Sequence, residues 1–296
     1  MDFSIDVSSV LPAGVRVTEV VPRTSGALST VWEVRLADGA PLIVKQYADR
    51  WRWKQAKEAY VYGLLADLPA LPSVVRLDAE RAVTVLTLVP GTPLSQTTLP
   101  PDAERDLFRQ VGVIARAIHS VRQAEFGYLT TRIVDPERDN TAYMSRQFDK
   151  KLAEFTDLGG SPGTARRVSE RLAADSDLFA WCAGAHLCHN DLHAGNVLVA
   201  PDGHGWRVTG IVDVENAIAA DPLMDLAKTL QYESRHRSAG VLSGLLEGYG
   251  DLPGDAHERI ALYRLYHALE LWDWFASNGT TDPLDSIEDD IRQLAG

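Results

Sequence analysis

The hydrophobic pattern changes period at Pro90-Gly91-Thr92-Pro93, and no other feature constrains the fold as strongly. Before that point, short β-branched runs alternate with turn residues. Segments 15–21, 31–36, 42–45, 74–77 and 82–89 predict five strands, the first ending at Pro22. Ala37-Asp38-Gly39 reads as a hairpin turn between the second and third. Segment 53–65 is the exception: Ala56, Ala59/Tyr60 and Gly63/Leu64 share one face, which predicts a helix. Beyond the boundary, Leu107, Val111, Ile114, Ile118 and Val121 recur every three or four residues, entered through Pro100-Pro101-Asp102. That stripe reads as one face of a core helix. Segment 140–181 reads as helical. In 258–276, Leu262, Leu265/Tyr266, Leu269, Trp272 and Phe275 point inward. A strand-rich lobe over 1–91 followed by a helix-rich lobe over 92–296 is an α+β order.

Composition excludes several classes of function. The 296 residues are 45% hydrophobic and 24% charged, ordinary globular usage. The 41 acids exceed the 29 Lys and Arg, for a net charge of −12, with no basic tract. Phosphate backbones need clustered cations, so no nucleic-acid partner is expected, nor an anionic membrane surface. No apolar run approaches the ~18 residues of a membrane span. The start, Met1-Asp2-Phe3-Ser4-Ile5-Asp6, lacks a basic region followed by an apolar one, and there are two cysteines, Cys182 and Cys188. Both features point to the cytoplasm and to free thiols.

The chemistry concentrates in His189-Asn190-Asp191-Leu192-His193-Ala194-Gly195-Asn196-Val197-Leu198-Val199. This run sets acid, amide and imidazole groups just before a short apolar strand. A Pro201-Asp202-Gly203-His204-Gly205 turn follows, then a second strand over 206–212, then Asp213-Val214-Glu215. A hairpin brings Asn196 and Asp213 side by side. Carboxylate and amide oxygens converging there make a hard site that suits Mg²⁺ over a soft metal.

His189-x-Asp191-x4-Asn196, with Asp213 seventeen residues further on, resembles the catalytic loop and metal-binding acid of protein-kinase-like folds. More closely, it is similar to the aminoglycoside phosphotransferase and choline kinase superfamily of small-molecule kinases. That family usually has Gly where Asn190 stands, and often an aromatic residue where Val214 stands. Asp221-Pro222-Leu223-Met224-Asp225-Leu226-Ala227 matches its downstream phrase. The resemblance implies a two-lobed fold, with a five-strand N-terminal lobe binding nucleotide and a mainly helical C-terminal lobe. It implies transfer of the γ-phosphoryl group of ATP or GTP to a hydroxyl of a small molecule, with Mg²⁺.

In that reading Asp191 aligns and deprotonates the acceptor hydroxyl, and Asn196 and Asp213 hold the metal. Phosphoryl transfer rests on positioning and charge neutralisation. Lys45, at the end of Pro41-Leu42-Ile43-Val44, would reach the phosphates, and Glu58 in the next helix would steady it. The small-residue loop from Ser25 to Thr30, with Ser29, would cover the phosphates, and Thr87 to Pro90, including Val89, would form the purine hinge. His189 is expected to brace the loop and Asp225 to anchor it. Arg50, Arg52, Lys54 and Lys57 read as a solvated helix face.

The family implies an antibiotic such as an aminoglycoside as acceptor, with sugars, amino alcohols and macrolides as alternatives. From Asp251 onward, ten acids face three bases. Glu270 and Asp273, beside Trp272 and Trp274, are candidates for binding a cationic acceptor; the alternative is a solvated helix face. Two other classes compete. Cys182, His186, Cys188, His189 and His193 could be read as a zinc site, but their spacing fits no paired-ligand pattern. A catalytically silent nucleotide-binding regulator on the same fold is the other. Neither Gly-Lys-Ser/Thr nor Gly-x-Gly-x2-Gly occurs, which argues against a phosphate-loop NTPase and a dinucleotide oxidoreductase.

Overall fold

A computed structural model describes residues 6–25, 29–203 and 205–296. Met1 to Ile5, the Gly26-Ala27-Leu28 portion of the expected phosphate loop, and His204 lie outside the described residues, as do the side chains of Thr24 and Ser25. Two compact units emerge, each assembled from separate pieces of chain. The first comprises residues 1–98, 129–132 and 194–216; the second comprises 99–128, 133–193 and 217–296.

The first unit carries a five-stranded antiparallel sheet. Its strands are β1 (Val17–Ser25), β2 (Ser29–Leu36), β3 (Leu42–Tyr47), β4 (Val74–Asp78) and β5 (Val83–Thr87), in the order β1-β2-β3-β5-β4. The expected strands are all present. β1 runs past Pro22, where a strand end was expected. It is an edge strand with a register shift between Pro22 and Thr24, and a bulged edge tolerates a residue that cannot donate to the ladder. One face is buried by Val34, Val44, Val83 and Val85, which pack with Val7, Val10 and Leu11 of the short helix α1 (Val7–Val10) and its end. The helix α2 (Trp53–Leu64) follows β3.

A second, three-stranded sheet in this unit joins Thr92–Pro93, Val197–Pro201 and Trp206–Ile211. Gly91 lies at the entry to its first strand with φ +147, where a Cβ would stand 2.5 Å from the Thr209 hydroxyl oxygen. That close approach requires glycine.

The second unit is mainly helical. The expected stripe lies on α3 (Pro101–Ile118), where Leu107, Val111 and Ile118 are fully buried. The segment 140–181 resolves into α4 (Asn140–Asp157), α5 (Pro162–Asp175) and a 3-10 turn (Ser176–Trp181). The Asp139 side chain accepts the Ala142 N–H at 2.8 Å and so caps α4. Then come α6 (Leu223–Glu233), α7 (Ala239–Tyr249), α8 (Ala256–Ser277) and α9 (Leu284–Ala295). Gly112 of α3 and Gly244 and Gly248 of α7 let these two helices touch backbone to backbone, since a Cβ at any of them would strike the partner's main chain. Four short strands, Phe126–Leu129, Ile133–Glu137, His186–Cys188 and Ile218–Ala220, pair into a further sheet. No helix among the described residues is long and apolar enough to cross a membrane.

Candidate active site

Lys45 lies on β3 with only 6% of its surface exposed, and Glu58 lies on α2 with 1% exposed. The Lys45 ammonium donates to Glu58 Oε1 at 3.0 Å, to Asp213 Oδ1 at 2.8 Å and to Glu215 Oε2 at 2.8 Å. Burial works against a charge there, but Glu58, Asp213 and Glu215 together hold the Lys45 pKa well above the ordinary lysine value. Burial pushes Glu58 up to about 7 against the pull of Lys45, with the charges of Asp213 and Glu215 adding to the rise. The Tyr47 hydroxyl donates to the other Glu58 oxygen.

The hairpin Val197–Pro201/Trp206–Ile211 brings the expected metal pair together. Val197 faces Ile211 in register, and the Val212 N–H donates to the Asn196 carbonyl at 3.0 Å. Asp213 follows at φ +68, in the left-handed region, with its N–H donating to the Tyr62 hydroxyl at 3.3 Å. Asp is among the residues that tolerate this region, and its bonds to Tyr62 and Lys45 hold it there. The Asp213 side chain is 39% exposed and Asn196 is 8% exposed. Their donor set is a carboxylate and an amide oxygen, which fits Mg²⁺ in chemistry.

In the second unit, Asp225 organises the loop that carries Asp191. Its Oδ2 accepts the His189 N–H at 2.7 Å, and its Oδ1 accepts the Asn190 N–H at 2.7 Å. His119 Nε2 stands 3.0 Å from Oδ2. Burial raises the Asp225 pKa, but the hydrogen bond and charge of His119, with His189 and the Asn190 amide, bring it below the ordinary value. Asn190 adopts φ +57, in the left-handed region that Asn tolerates better than most non-glycine residues. His189 Nδ1 accepts the Asp191 N–H at 3.2 Å, so His189 braces the loop. The Thr229 hydroxyl donates to the Leu192 carbonyl at 2.5 Å. Asp221 Oδ1 accepts the Leu223 N–H at 3.0 Å where α6 begins, and its other oxygen accepts from Arg259 and Tyr263.

The remaining expected residues fall in varied places. Ser29 opens β2 opposite Tyr47. Ser25 ends β1, its backbone paired with Thr30. Thr87 is exposed at the end of β5; its N–H is spent on the Ser73 carbonyl and its hydroxyl accepts the Ser73 N–H, both at 2.9 Å. Val89 packs where a Cβ on Gly210 would sit.

The basic set does not form one solvated face. Arg50 and Arg52 are exposed, but Lys54 is 6% exposed and Lys57 fully buried. Lys54 reaches Glu215 Oε1 and Asn216 Oδ1, each at 3.0 Å. Desolvation brings Lys57 down to about 7, with the Lys54 charge adding to the fall. Tyr47, Tyr62 and Glu215 carry no role in the sequence reading, and Lys54, read there as solvated, is buried. The signals for them are the one-turn spacing of Lys54 and Glu58 and the place of Glu215 two residues after Asp213.

Glu270 and Asp273 each carry an internal cation. Glu270 lies 3.0 Å from Lys228 Nζ and 3.0 Å from His267 Nδ1. Burial would raise its pKa, but Lys228 and His267 hold it far below the usual range. Asp273 is 4% exposed and 3.3 Å from Lys151 Nζ. Burial lifts it to about 7 against Lys151, and the nearby Glu154 adds to the rise. Asp273 is therefore not on a solvated face. Trp272 is buried and Trp274 exposed, so the two indoles are not presented together. Of the cysteine–histidine group, the Cys182 thiol donates to the Gly184 carbonyl, the Cys188 thiol lies near those of His186 and Asp221, and His186 bonds the His119 carbonyl.

The chain is 28% identical over 203 residues to an aminoglycoside 3'-phosphotransferase of Streptomyces ribosidificus, covering 66% of this chain and 73% of that one. Among solved structures it resembles a thermostable mutant of aminoglycoside phosphotransferase APH(4)-Ia in ternary complex with ADP and hygromycin B. There the TM-score is 0.74 at 17% identity, with 94% of each chain covered. It also resembles the macrolide 2'-phosphotransferase MphH of Brachybacterium faecium, with a TM-score of 0.66 at 16% identity over 96% and 94% of the chains. These likenesses establish the α+β, protein-kinase-like fold of the aminoglycoside phosphotransferases. The sequence profile described as the phosphotransferase enzyme family matches residues 19–263, and the chain belongs to that family.

Proposed function

We propose that the protein transfers the γ-phosphoryl group of ATP or GTP to a hydroxyl of a small acceptor, with an aminoglycoside as the leading class. The observation that carries this reading is the Lys45 ammonium held by Glu58 and Asp213, with Asn196 beside Asp213 across the hairpin. Asn196 and Asp213 would hold Mg²⁺, which when bound neutralises phosphate charge. Lys45, released from Asp213, pairs with the phosphates, and Glu58 keeps it in place. Asp191 orients the acceptor hydroxyl and takes its proton as the oxygen attacks phosphorus, while the nucleoside diphosphate leaves. The nucleotide-facing roles of Ser25, Ser29, Thr87 and Val89 belong to the same proposal.

The acceptor class follows the curated relative, whose name specifies an aminoglycoside. A cationic acceptor would engage Glu270 or Asp273 only by displacing Lys228 or Lys151. The test is a mass-spectrometric screen of aminoglycosides, macrolides, sugars and amino alcohols with Mg²⁺ and ATP or GTP in parallel. A phosphorylated aminoglycoside supports the reading. Nucleotide binding with no phosphorylated product in any arm overturns it in favour of a silent regulator.

A further inference from the structure

Glu215 is buried to 1% exposure, and each of its two carboxylate oxygens holds a different lysine. Oε2 takes Lys45 at 2.8 Å and Oε1 takes Lys54 at 3.0 Å. Lys54 is itself fixed: its ammonium donates to Asn216 Oδ1 at 3.0 Å and lies 5.3 Å from the centre of the Trp51 ring. Lys54 and Glu58 stand four residues apart on α2, so this helix supplies one carboxylate directly to Lys45 and one cation to its second carboxylate. Glu58, Asp213 and Glu215 bring carboxylate oxygens within 4.8 Å of one another, a spacing that would suit a metal ion. The Lys45 ammonium already bonds all three, so the trio is a cradle for that ammonium.

The three carboxylates are not equivalent. Asp213 is the most exposed, and in the functional reading it must turn to the metal when nucleotide binds. Glu58 and Glu215 then remain on Lys45. A lysine side chain has many rotamers, and a single buried carboxylate constrains its ammonium less than two set on different elements.

We infer that Glu215, locked by Lys54, is a second positioning residue for Lys45, keeping its ammonium on the nucleotide phosphates once Asp213 engages the metal. This inference rests on the functional reading above. It goes beyond the Lys45–Glu58 pair by adding a second carboxylate and the cation that orients it.

A purely structural ion pair and a positioning pair differ in one measurable way. Removing one member of a buried pair is costly, whereas replacing both members with neutral groups of similar volume restores stability. If Lys54 and Glu215 only held α2 against the turn at 214–216, the double variant would recover nucleotide affinity along with stability. If Glu215 positions Lys45, stability recovers and affinity does not.

The experiment compares wild type, Glu215→Gln, Lys54→Met and the double variant by thermal unfolding and by calorimetric titration with ADP and Mg²⁺. Glu215→Gln leaves Lys54 buried without its carboxylate and loses stability, so the double variant carries the test. The expected result is a double variant with its melting temperature restored toward wild type and its MgADP Kd still raised roughly fivefold or more. A double variant that binds MgADP as tightly as wild type overturns the inference alone. Wild-type protein that does not bind MgADP overturns the functional reading and the inference with it.

Discussion

His119 Nε2 lies 3.0 Å from the Asp225 carboxylate that also receives the His189 and Asn190 amides. His119 ends α3, and its other ring nitrogen stands 3.1 Å from the Tyr249 hydroxyl at the end of α7. The loop bearing Asp191 is therefore referenced to two packed helices through one buried carboxylate.

His119→Phe keeps a ring of similar size but removes the donor to Asp225. A slightly misplaced catalytic group costs rate more than binding, so kcat should fall roughly tenfold while MgADP affinity holds. His119→Gln retains an N–H donor and should recover part of the loss. Steady-state kinetics alongside calorimetric titration check this; equal kcat in wild type and His119→Phe would contradict it.

Asp213→Ala removes the one anionic member of the proposed Mg²⁺ pair. Nucleotide affinity should become independent of Mg²⁺, as read by titration with and without the metal. Asn196→Ala removes a neutral ligand and should keep a weakened Mg²⁺ dependence. Wild-type affinity that ignores Mg²⁺ would contradict the metal assignment.

Asp273 gives a stability prediction. Its pKa in the folded protein is raised to about 7 from an ordinary 3.8. Between those values the unfolded chain has released the proton and the folded protein retains it. Stability from this group is therefore complete below the lower value and is lost as pH rises toward the upper one. Asp273→Asn does not titrate, so its stability relative to wild type should improve from about pH 4 to about pH 7, by on the order of 4 kcal/mol. Urea unfolding of both proteins across that range measures the difference; a difference that is flat with pH would contradict the assignment.

Much of this architecture was legible from residue order, for identifiable reasons. The strands around Lys45 are β-branched and bounded by turns. The Asn196–Asp213 pairing follows from two short apolar runs joined by Pro201-Asp202-Gly203. The anchoring role expected of Asp225 matches its two backbone hydrogen bonds. Lys54 was not legible, because a charged residue among Arg50, Arg52 and Lys57 looks solvated until its partner, 161 positions away, is known. Glu215 was hidden for the same reason. Strands as short as His186–Cys188 and Ile218–Ala220 are too brief to show a period. The internal cations of Glu270 and Asp273 come from α6 and α4, so a local count of acids over 251–296 could not find them.

In the proposed reaction Asp191 prepares an acceptor hydroxyl for phosphoryl transfer. The most direct test is the kcat of Asp191→Asn, measured with Mg²⁺, the preferred nucleotide and the acceptor found by screening, together with MgADP affinity. General-base and positioning roles are worth ~10²–10⁴ in rate. Asp191→Asn should lose at least ~100-fold in kcat, with MgADP affinity and melting temperature little changed. A near-wild-type kcat in Asp191→Asn would contradict it.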